Sequence, residues 1–152
     1  MKTFQSIKQK LVKNRIIFNE ITFPNKAVSA RTEAISLTNN YNPKNAIKTL
    51  VVKTKNSYYG LIMRGSDLID DKKLKKYIGK WSIVNTQTLK ERFGFLPGCV
   101  CPLDLDLPYL IDVKVNKLEV WSIGAGDPKK GINIQKDIAI SLINNFHVVS
   151  LT

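Results

Sequence analysis

The chain has 152 residues, 43% of them hydrophobic, and 24 Lys and Arg against 12 Asp and Glu give a formal charge of +12 at pH 7. We expect one domain over residues 1–152, and no transmembrane helix because no run of about 18 apolar residues occurs. The lysine-rich start does not resemble a signal peptide, so we expect a soluble, cytoplasmic protein with no membrane partner.

In the first half, hydrophobic periodicity and turn residues predict helices and strands in alternation. In chain order these are a basic amphipathic helix at 3–14, a strand at 15–23, a helix at 30–38 capped by Ser29, and a hairpin with strands at 46–53 and 58–63. The hairpin has the strongest signal, because two runs rich in β-branched and aromatic residues flank the polar turn TKNS.

The second half continues the same mixture. It predicts a helix at 66–79 ended by Gly79, a short strand at 81–85, and a helix at 87–93 capped by Thr86 and ended by Gly94. Two neighbouring strands are then predicted at 109–115 and 118–123. A loop at 124–131, a helix at 134–146 and a strand at 147–151 complete the chain. Helices interleave irregularly with hairpins. We therefore expect an α+β fold, a mixed β-sheet flanked by helices, and neither a uniform βαβ series nor a helical bundle.

The excess of positive charge points to a polyanion as partner. It lies mainly in the first half, where no acid occurs between Glu33 and Asp67, with a second basic patch at 72–80. Such a field speeds the encounter with nucleic acid and supplies most of its non-specific affinity. The alternative is that the lysines only form a solvated surface. For the summed excess we favour RNA or DNA.

Several kinds of site are missing from the sequence. The only histidine is His147, in a terminal strand pattern, where we expect a structural or surface role. A Ser-His or Cys-His nucleophile would have to use it. Cys99 and Cys101 with one distant histidine make at most three metal ligands, and no Walker A or G-x-G-x-x-G sequence occurs. We expect no metal, no cofactor and no disulfide between the two cysteines, which lie too close along one strand.

The stretch GFLPGCVCP at 94–102 concentrates glycine, proline and both cysteines. Gly98 permits a positive φ or close approach of a ligand, and Pro102 pushes Cys101 toward an extended conformation. The result is a rigid loop whose backbone N–H and C=O groups can face a small polar ligand. An ordinary loop between a helix and a strand, with the cysteines as small packing residues, is the competing interpretation.

Three separated segments together resemble the YbaK and prolyl-tRNA-synthetase-associated editing domains. They are SARTEAISL…NAIKTLVV (29–52), GFLPGCVCPLDL (94–105) and WSIGAGDPKKGINIQKDIAISLI (121–143), in the order and spacing of that family. The resemblance implies one α+β domain built on a mixed sheet. It also implies a partner, the aminoacylated 3′ end of a tRNA, because several family members hydrolyse amino acids wrongly esterified to tRNA.

The resemblance also carries over functional positions. Lys48 matches the functional lysine, expected to anchor the terminal phosphate or ribose. The segment with the pattern G-x-x-x-P is expected to hold the aminoacyl end through its backbone, and it comprises Gly98, Cys99, Val100, Cys101 and Pro102. The glycine-containing substrate segment, whose amides are expected to polarise the ester carbonyl, comprises Gly124, Ala125 and Gly126.

Two positions depart from the family. Asp127 stands where some relatives place histidine or serine, and it either binds the α-ammonium of the substrate or caps a turn. The loop cysteines occupy places where small variable residues are expected, so we interpret them as pocket-wall or packing groups and not as nucleophiles.

These observations lead to a hypothesis and two alternatives. The hypothesis is a free-standing trans-editing deacylase, most plausibly for alanyl- or cysteinyl-tRNA bearing the proline anticodon, with a synthetase as a possible further partner. The first alternative is a non-catalytic tRNA- or RNA-binding or regulatory domain of the same fold. The second is a hydrolase of another small aminoacyl or acyl ester. The hypothesis requires Lys48 to lie on the same side of the molecule as residues 98 and 124.

Overall fold

The structure is a computed structural model that describes residues 1–23 and 42–152. The helices are α1 (Phe4–Lys13), α2 (Asp71–Ile78), α3 (Thr86–Thr88), α4 (Val113–Asn116) and α5 (Lys136–Ser141). The strands are β1 (Asn19–Thr22), β2 (Ile47–Lys53), β3 (Tyr58–Arg64), β4 (Ser82–Ile83), β5 (Tyr109–Asp112), β6 (Val120–Asp127), β7 (Lys130–Gln135) and β8 (Phe146–Val149).

The described strands form two sheets. One has three antiparallel strands in the order β1-β7-β6. The other has the order β4-β2-β3-β5-β8, and it is mixed, because β2 pairs antiparallel with β3 and β4 whereas β3-β5 and β5-β8 are parallel. The predicted α+β class with a mixed sheet and flanking helices is therefore confirmed.

A single large hydrophobic core joins the two sheets. It includes Ile62 and Ile111 from the five-stranded sheet, and Trp121 and Ile132 from the three-stranded one. The indole N–H of Trp121 donates to the carbonyl of Val115 at 2.8 Å, so this large side chain is buried with its polar group satisfied.

A smaller core lies on the opposite face of the five-stranded sheet. Val52 and Leu61 project from that face, and Leu74 of α2 packs against them, with all three side chains fully buried. Helix α2 therefore covers the face of β2 that points away from the large core.

Both long described helices begin at residues with capping side chains. The hydroxyl of Thr3 accepts from the N–H of Ser6, and the Ser6 hydroxyl accepts from the N–H of Thr3, which is a capping box at the start of α1. Asp70 caps α2, and Gly79 ends it with a φ of 79°.

The hairpin at 46–53 and 58–63 is confirmed, and β2 and β3 pair over their full length. Gly94 does end a helical segment, in the left-handed conformation, but the cap of that segment is Asn85, whose side chain accepts from the N–H of Thr88 at 2.7 Å. The predicted cap Thr86 is the first helical residue instead. The predicted helix at 30–38 lies outside the described residues.

Three predictions for the second half are wrong. The expected loop at 124–131 is a tight hairpin, since β6 continues to Asp127 and β7 begins at Lys130. The strand predicted at 109–115 ends at Asp112, where the carboxylate caps the short helix α4, and β5 and β6 belong to different sheets instead of being neighbours. The helix predicted at 134–146 contains only Lys136–Ser141.

For the helix predicted at 134–146 the physical reason is a local ambiguity of the sequence. A short apolar run fits either period, so isoleucines spaced four apart across a strand and a helix look like one helical face. In the described part of the chain, no helix has both the length and the apolar character needed to cross a membrane.

Candidate functional site

The two glycine-bearing segments meet directly. A Cβ on Gly124 would lie 2.6 Å from the carbonyl oxygen of Val100, and the N–H of Gly126 donates to the carbonyl of Cys99 at 2.9 Å. Gly98 has a φ of 81° and Gly126 a φ of 83°, conformations that glycine adopts without strain. We call this contact of residues 98–102 with residues 124–126 the loop junction.

The start of β2 lies beside β6. Ala46 and Ser122 form a parallel bridge, which places the two strands side by side where β2 begins. Residues two apart in a strand point to the same face. Lys48 therefore points to the same face of β2 as Ala46, two residues after the bridge, and Gly124 follows the bridge by two residues on β6.

The ammonium group of Lys48 is held at the end of the neighbouring strand. Its Nζ donates to the backbone carbonyl of Asp67, in the turn that follows β3. The side chain of Lys48 is half-buried on the same face as Leu50 and Val52. Lys48 is therefore positioned by the fold and does not simply extend outward from the hairpin.

Two more cations gather at the carboxylate of Asp67. Arg64 binds it in a bidentate manner, with Nε at 2.7 Å and Nη2 at 3.0 Å, and Nζ of Lys114 lies 3.8 Å away. With Lys48 at the carbonyl of the same residue, three cations surround one acid. We call this group, Lys48, Arg64, Lys114 and Asp67, the cationic corner.

The electrostatics of the corner follow from this geometry. The hydrogen bonds from Arg64 lower the pKa of Asp67, against desolvation, and the charges of Arg64, Lys114 and Lys48 lower it further. The same hydrogen bond raises the pKa of Arg64. All three cations therefore stay beside an ionised carboxylate at neutral pH.

Sequence reasoning did not identify Arg64, Asp67 and Lys114 as parts of this site. A signal for the first two was present, because an arginine and an aspartate three residues apart flank a Gly-Ser turn directly after a hairpin strand. Lys114 has no such signal, since it comes to the corner only through the packing of α4 against β3.

Several polar groups at the loop junction are already bonded within the protein. The N–H of Gly126 is bonded to Cys99, and the carbonyl of Pro102 accepts the phenol hydrogen of Tyr109 at 2.8 Å. The carboxylate of Asp127 accepts from the N–H of Lys129 at 2.7 Å, which is the turn-capping role. Ala125 and Gly126 lie in a bulge, outside the register pairs of β6 with β7.

The cysteines of the loop are buried and not joined by a disulfide. Burial raises the pKa of the Cys101 thiol to about 12. Since the thiolate is the nucleophilic form of cysteine, Cys101 is inert at neutral pH. His147 is exposed on β8, at the edge of the five-stranded sheet. Within residues 1–23 and 42–152, no three His, Cys, Asp or Glu side chains group as metal ligands.

Comparisons with known proteins give a family match and structures of the same fold. The sequence matches the family model of the aminoacyl-tRNA editing domain over residues 28–137, a range that contains Lys48 and both glycine-bearing segments. A solved structure of a proposed trans-editing enzyme for prolyl tRNA synthetase has a TM-score of 0.83 at 17% identity, covering 100% of this chain and 98% of that chain. That likeness shows a shared fold.

Two proline–tRNA ligases are similar in sequence. The enzyme of Buchnera aphidicola subsp. Baizongia pistaciae is 32% identical over an alignment of 123 residues, and the match covers 70% of this chain and 20% of the ligase. The enzyme of Blochmanniella pennsylvanica is 27% identical over an alignment of 116 residues, and the match covers 68% of this chain and 20% of the ligase. The chain thus spans about one fifth of the length of these ligases.

Proposed function

Because the chain belongs to the aminoacyl-tRNA editing domain family, we propose that it is a trans-editing deacylase, one domain that hydrolyses the ester of a mischarged tRNA. The observation that carries the proposal is the position of Lys48. Its ammonium is held by the carbonyl of Asp67, and its strand begins beside β6, the strand that carries Gly124. A compact cation beside glycine-bearing backbone is what an aminoacyl ester on a terminal nucleotide requires.

The reaction makes modest chemical demands. Water forms a bond to the carbonyl carbon, the bond between that carbon and the ribose 3′ oxygen breaks, and the ribose oxygen takes up the proton. The products are a free amino acid and uncharged tRNA. An activated ester needs positioned water and support for the oxyanion more than a strong nucleophile. The neighbouring 2′-hydroxyl of the substrate can activate the water, so no protein histidine is needed.

The proposed role of each residue depends on whether its polar groups are already bonded within the protein. Lys48 anchors the terminal phosphate or ribose, and Gly98–Pro102 line the aminoacyl end. The bond from Gly126 to Cys99 leaves Gly124 and Ala125 as the candidates for polarising the carbonyl. Asp127 either binds the α-ammonium of the substrate or caps its turn, and the hydrogen bond that it accepts from the N–H of Lys129 favours the capping role.

For the substrate we propose alanyl- or cysteinyl-tRNA bearing the proline anticodon. The support is the sequence similarity to proline–tRNA ligases and the shared fold with a proposed trans-editing enzyme for prolyl tRNA synthetase. A synthetase that charges this tRNA is a plausible partner, and the cytoplasm is the expected compartment. Incubating the protein with a panel of mischarged tRNAs tests this: release of alanine or cysteine supports it, and turnover of neither contradicts it.

The role of Lys48 is tested by Lys48→Ala. Removing the anchoring ammonium should lower the deacylation rate by about 100-fold or more, while circular dichroism and the urea midpoint stay close to wild type. Lys53→Ala is the matched control, because Lys53 lies on the same strand, is exposed and loses the same charge. If both variants deacylate as fast as wild type, Lys48 has no part in the mechanism.

One observation favours the non-catalytic alternative. The N–H of Gly126, the carbonyl of Pro102 and the carboxylate of Asp127 are all engaged within the protein, as expected for a domain that has kept the fold and lost the chemistry. Such a domain would bind tRNA with salt-dependent affinity and show no turnover with any member of the panel. Turnover of an ester that lacks the tRNA body would instead indicate a hydrolase of small esters.

A further inference from the structure

A row of lysines on α2 has no role in holding the protein together. Lys72 and Lys76 are exposed and four residues apart, and Lys80 follows by another four just after the helix. Their ammonium groups form no ion pair or hydrogen bond with any residue that the structure describes. We call Lys72, Lys76 and Lys80 the lysine row.

The other lysines of α2, and Lys8 and Lys10 of α1, behave differently. Lys75 pairs with Asp71 at 3.0 Å, and Lys73 donates to the carbonyl of Thr152 at 2.6 Å. On α1, Lys8 pairs with Glu20 at 2.7 Å and Lys10 with Asp104 at 2.9 Å. These side chains serve the fold, whereas the lysine row does not.

Part of the row opposes the stability of its own helix, although Lys76 lies in the last turn, where the macrodipole favours a cation. Like charges four residues apart on a helix repel each other, by about 0.2–0.5 kcal/mol per pair. Lys72 lies near the helix N-terminus, where the macrodipole disfavours a cation. Exposed cations that make no contact with the described residues are available to bind a polyanion outside the protein.

We propose that the lysine row binds the phosphate backbone of the tRNA acceptor stem. The identity of the polyanion rests on the proposed function, while the location of the surface rests on the structure. A strand of an RNA duplex presents a phosphate about every 3 Å along its axis, and α2 is about 12 Å long, so both helical lysines can contact one strand.

The row is continuous with the cationic corner. Helix α2 starts at Asp71, four residues after Asp67, whose carbonyl holds Lys48. From Asp67 to the cap Asp70 the chain spans at most about 11 Å, and the helix adds about 12 Å. Helix α2 also covers the face of β2 on which Lys48 lies. A tRNA with its single-stranded 3′ end at Lys48 therefore has its stem within reach of the row.

The test is a pair of double variants on one helix. Lys72→Gln with Lys76→Gln removes two charges from the row, and Lys73→Gln with Lys75→Gln removes two charges from lysines engaged within the fold. Affinity for uncharged tRNA is measured as a function of salt, because this measurement needs no catalysis. The first variant should lose on the order of 10-fold in affinity per lysine near 50 mM salt, and its log-log salt slope should fall by about two.

The control variant should keep a salt slope close to that of wild type. Equal effects of the two variants would show that only net charge matters, and no effect of the first would show that RNA does not touch the row; either result overturns the proposal. The proposal would also be overturned if the first variant lost binding to phosphatidylserine vesicles and still bound tRNA as wild type does, because the row would then bind membranes.

Deacylation kinetics separate this proposal from the proposed function. With the mischarged tRNA that turns over, the row variant should raise KM and leave kcat unchanged, because the row contacts only the stem. A chain that hydrolyses none of the tRNAs contradicts the proposed function, and the binding measurements still decide the role of the row.

Discussion

At the loop junction, a strong sequence motif marks residues that are buried and contact one another. In the lysine row, residues that belong to no motif lie exposed on the surface. At the junction, conspicuous residues are buried and bonded to one another: Gly124 packs on Val100, Gly126 donates to Cys99 and Cys101 is inaccessible. In the row, ordinary lysines are exposed and unengaged by the described residues. Conspicuous residues therefore shape the protein, and the surface that an RNA would touch is made of residues that carry no motif.

The largest effect is expected where the junction is tightest, with Gly124→Ala. Its Cβ would lie 2.6 Å from the Val100 oxygen and 3.2 Å from the Cys99 carbonyl carbon, both backbone atoms. The two segments must separate, which should lower the free energy of unfolding by about 2–3 kcal/mol. Urea denaturation measures this.

The control is Gly94→Ala, because Gly94 has the left-handed helical conformation and the nearest atom to the added carbon belongs to the flexible side chain of Lys2, at 3.3 Å. It should cost about 1 kcal/mol. Equal costs at the two glycines would mean that the junction is not closely packed.

A smaller effect is expected for Cys101→Ala. Removing a fully buried sulfur should destabilise the protein by about 1 kcal/mol. Deacylation should stay within a factor of about two, since a thiol with a pKa of about 12 is not a nucleophile at neutral pH. Comparing initial rates at equal folded fraction tests this, and a loss of activity beyond the loss of folded protein would make Cys101 a participant in the reaction.

The cationic corner is a third region, and Asp67→Asn tests its carboxylate. The folded state lowers the pKa of Asp67, so its ionisation stabilises the protein above the unfolded pKa, and this stability disappears as pH falls through the folded value. The free energy of unfolding of wild type should exceed that of the variant by about 0.5 kcal/mol at pH 7, and this difference should disappear as the pH falls below about 4. A difference that persists in acid would point to packing.

The smallest expected effect is an increase in stability. Lys72→Glu places an acid near the N-terminus of α2 and four residues before Lys76, which should stabilise the protein by about 0.2–0.5 kcal/mol at low salt. The same change should weaken tRNA binding. Thermal unfolding and a tRNA titration on one preparation test both effects, and reduced stability would show that Lys72 does serve the fold.

The sequence by itself determined the elements whose signals are local. The hairpin around TKNS, the stop at Gly79 and the stop at Gly94 depend on turn residues and conformation within a few positions, and all three are present. The family was readable from three spaced segments, and the role expected for Lys48 stays a prediction. The excess of positive charge was also evident from the sequence. The sequence does not show which lysines form ion pairs or hydrogen bonds within the protein.

Only the tertiary structure decided the rest, because it depends on contacts between distant segments. Whether Ile134 belongs to a strand or a helix depends on pairing with Trp121 across the β6–β7 hairpin, a choice that short apolar runs leave open. Lys114 joins Asp67 only through packing. The lysine row is distinguished from its neighbours only by where acids and carbonyls from other parts of the chain happen to lie, and this no local pattern encodes.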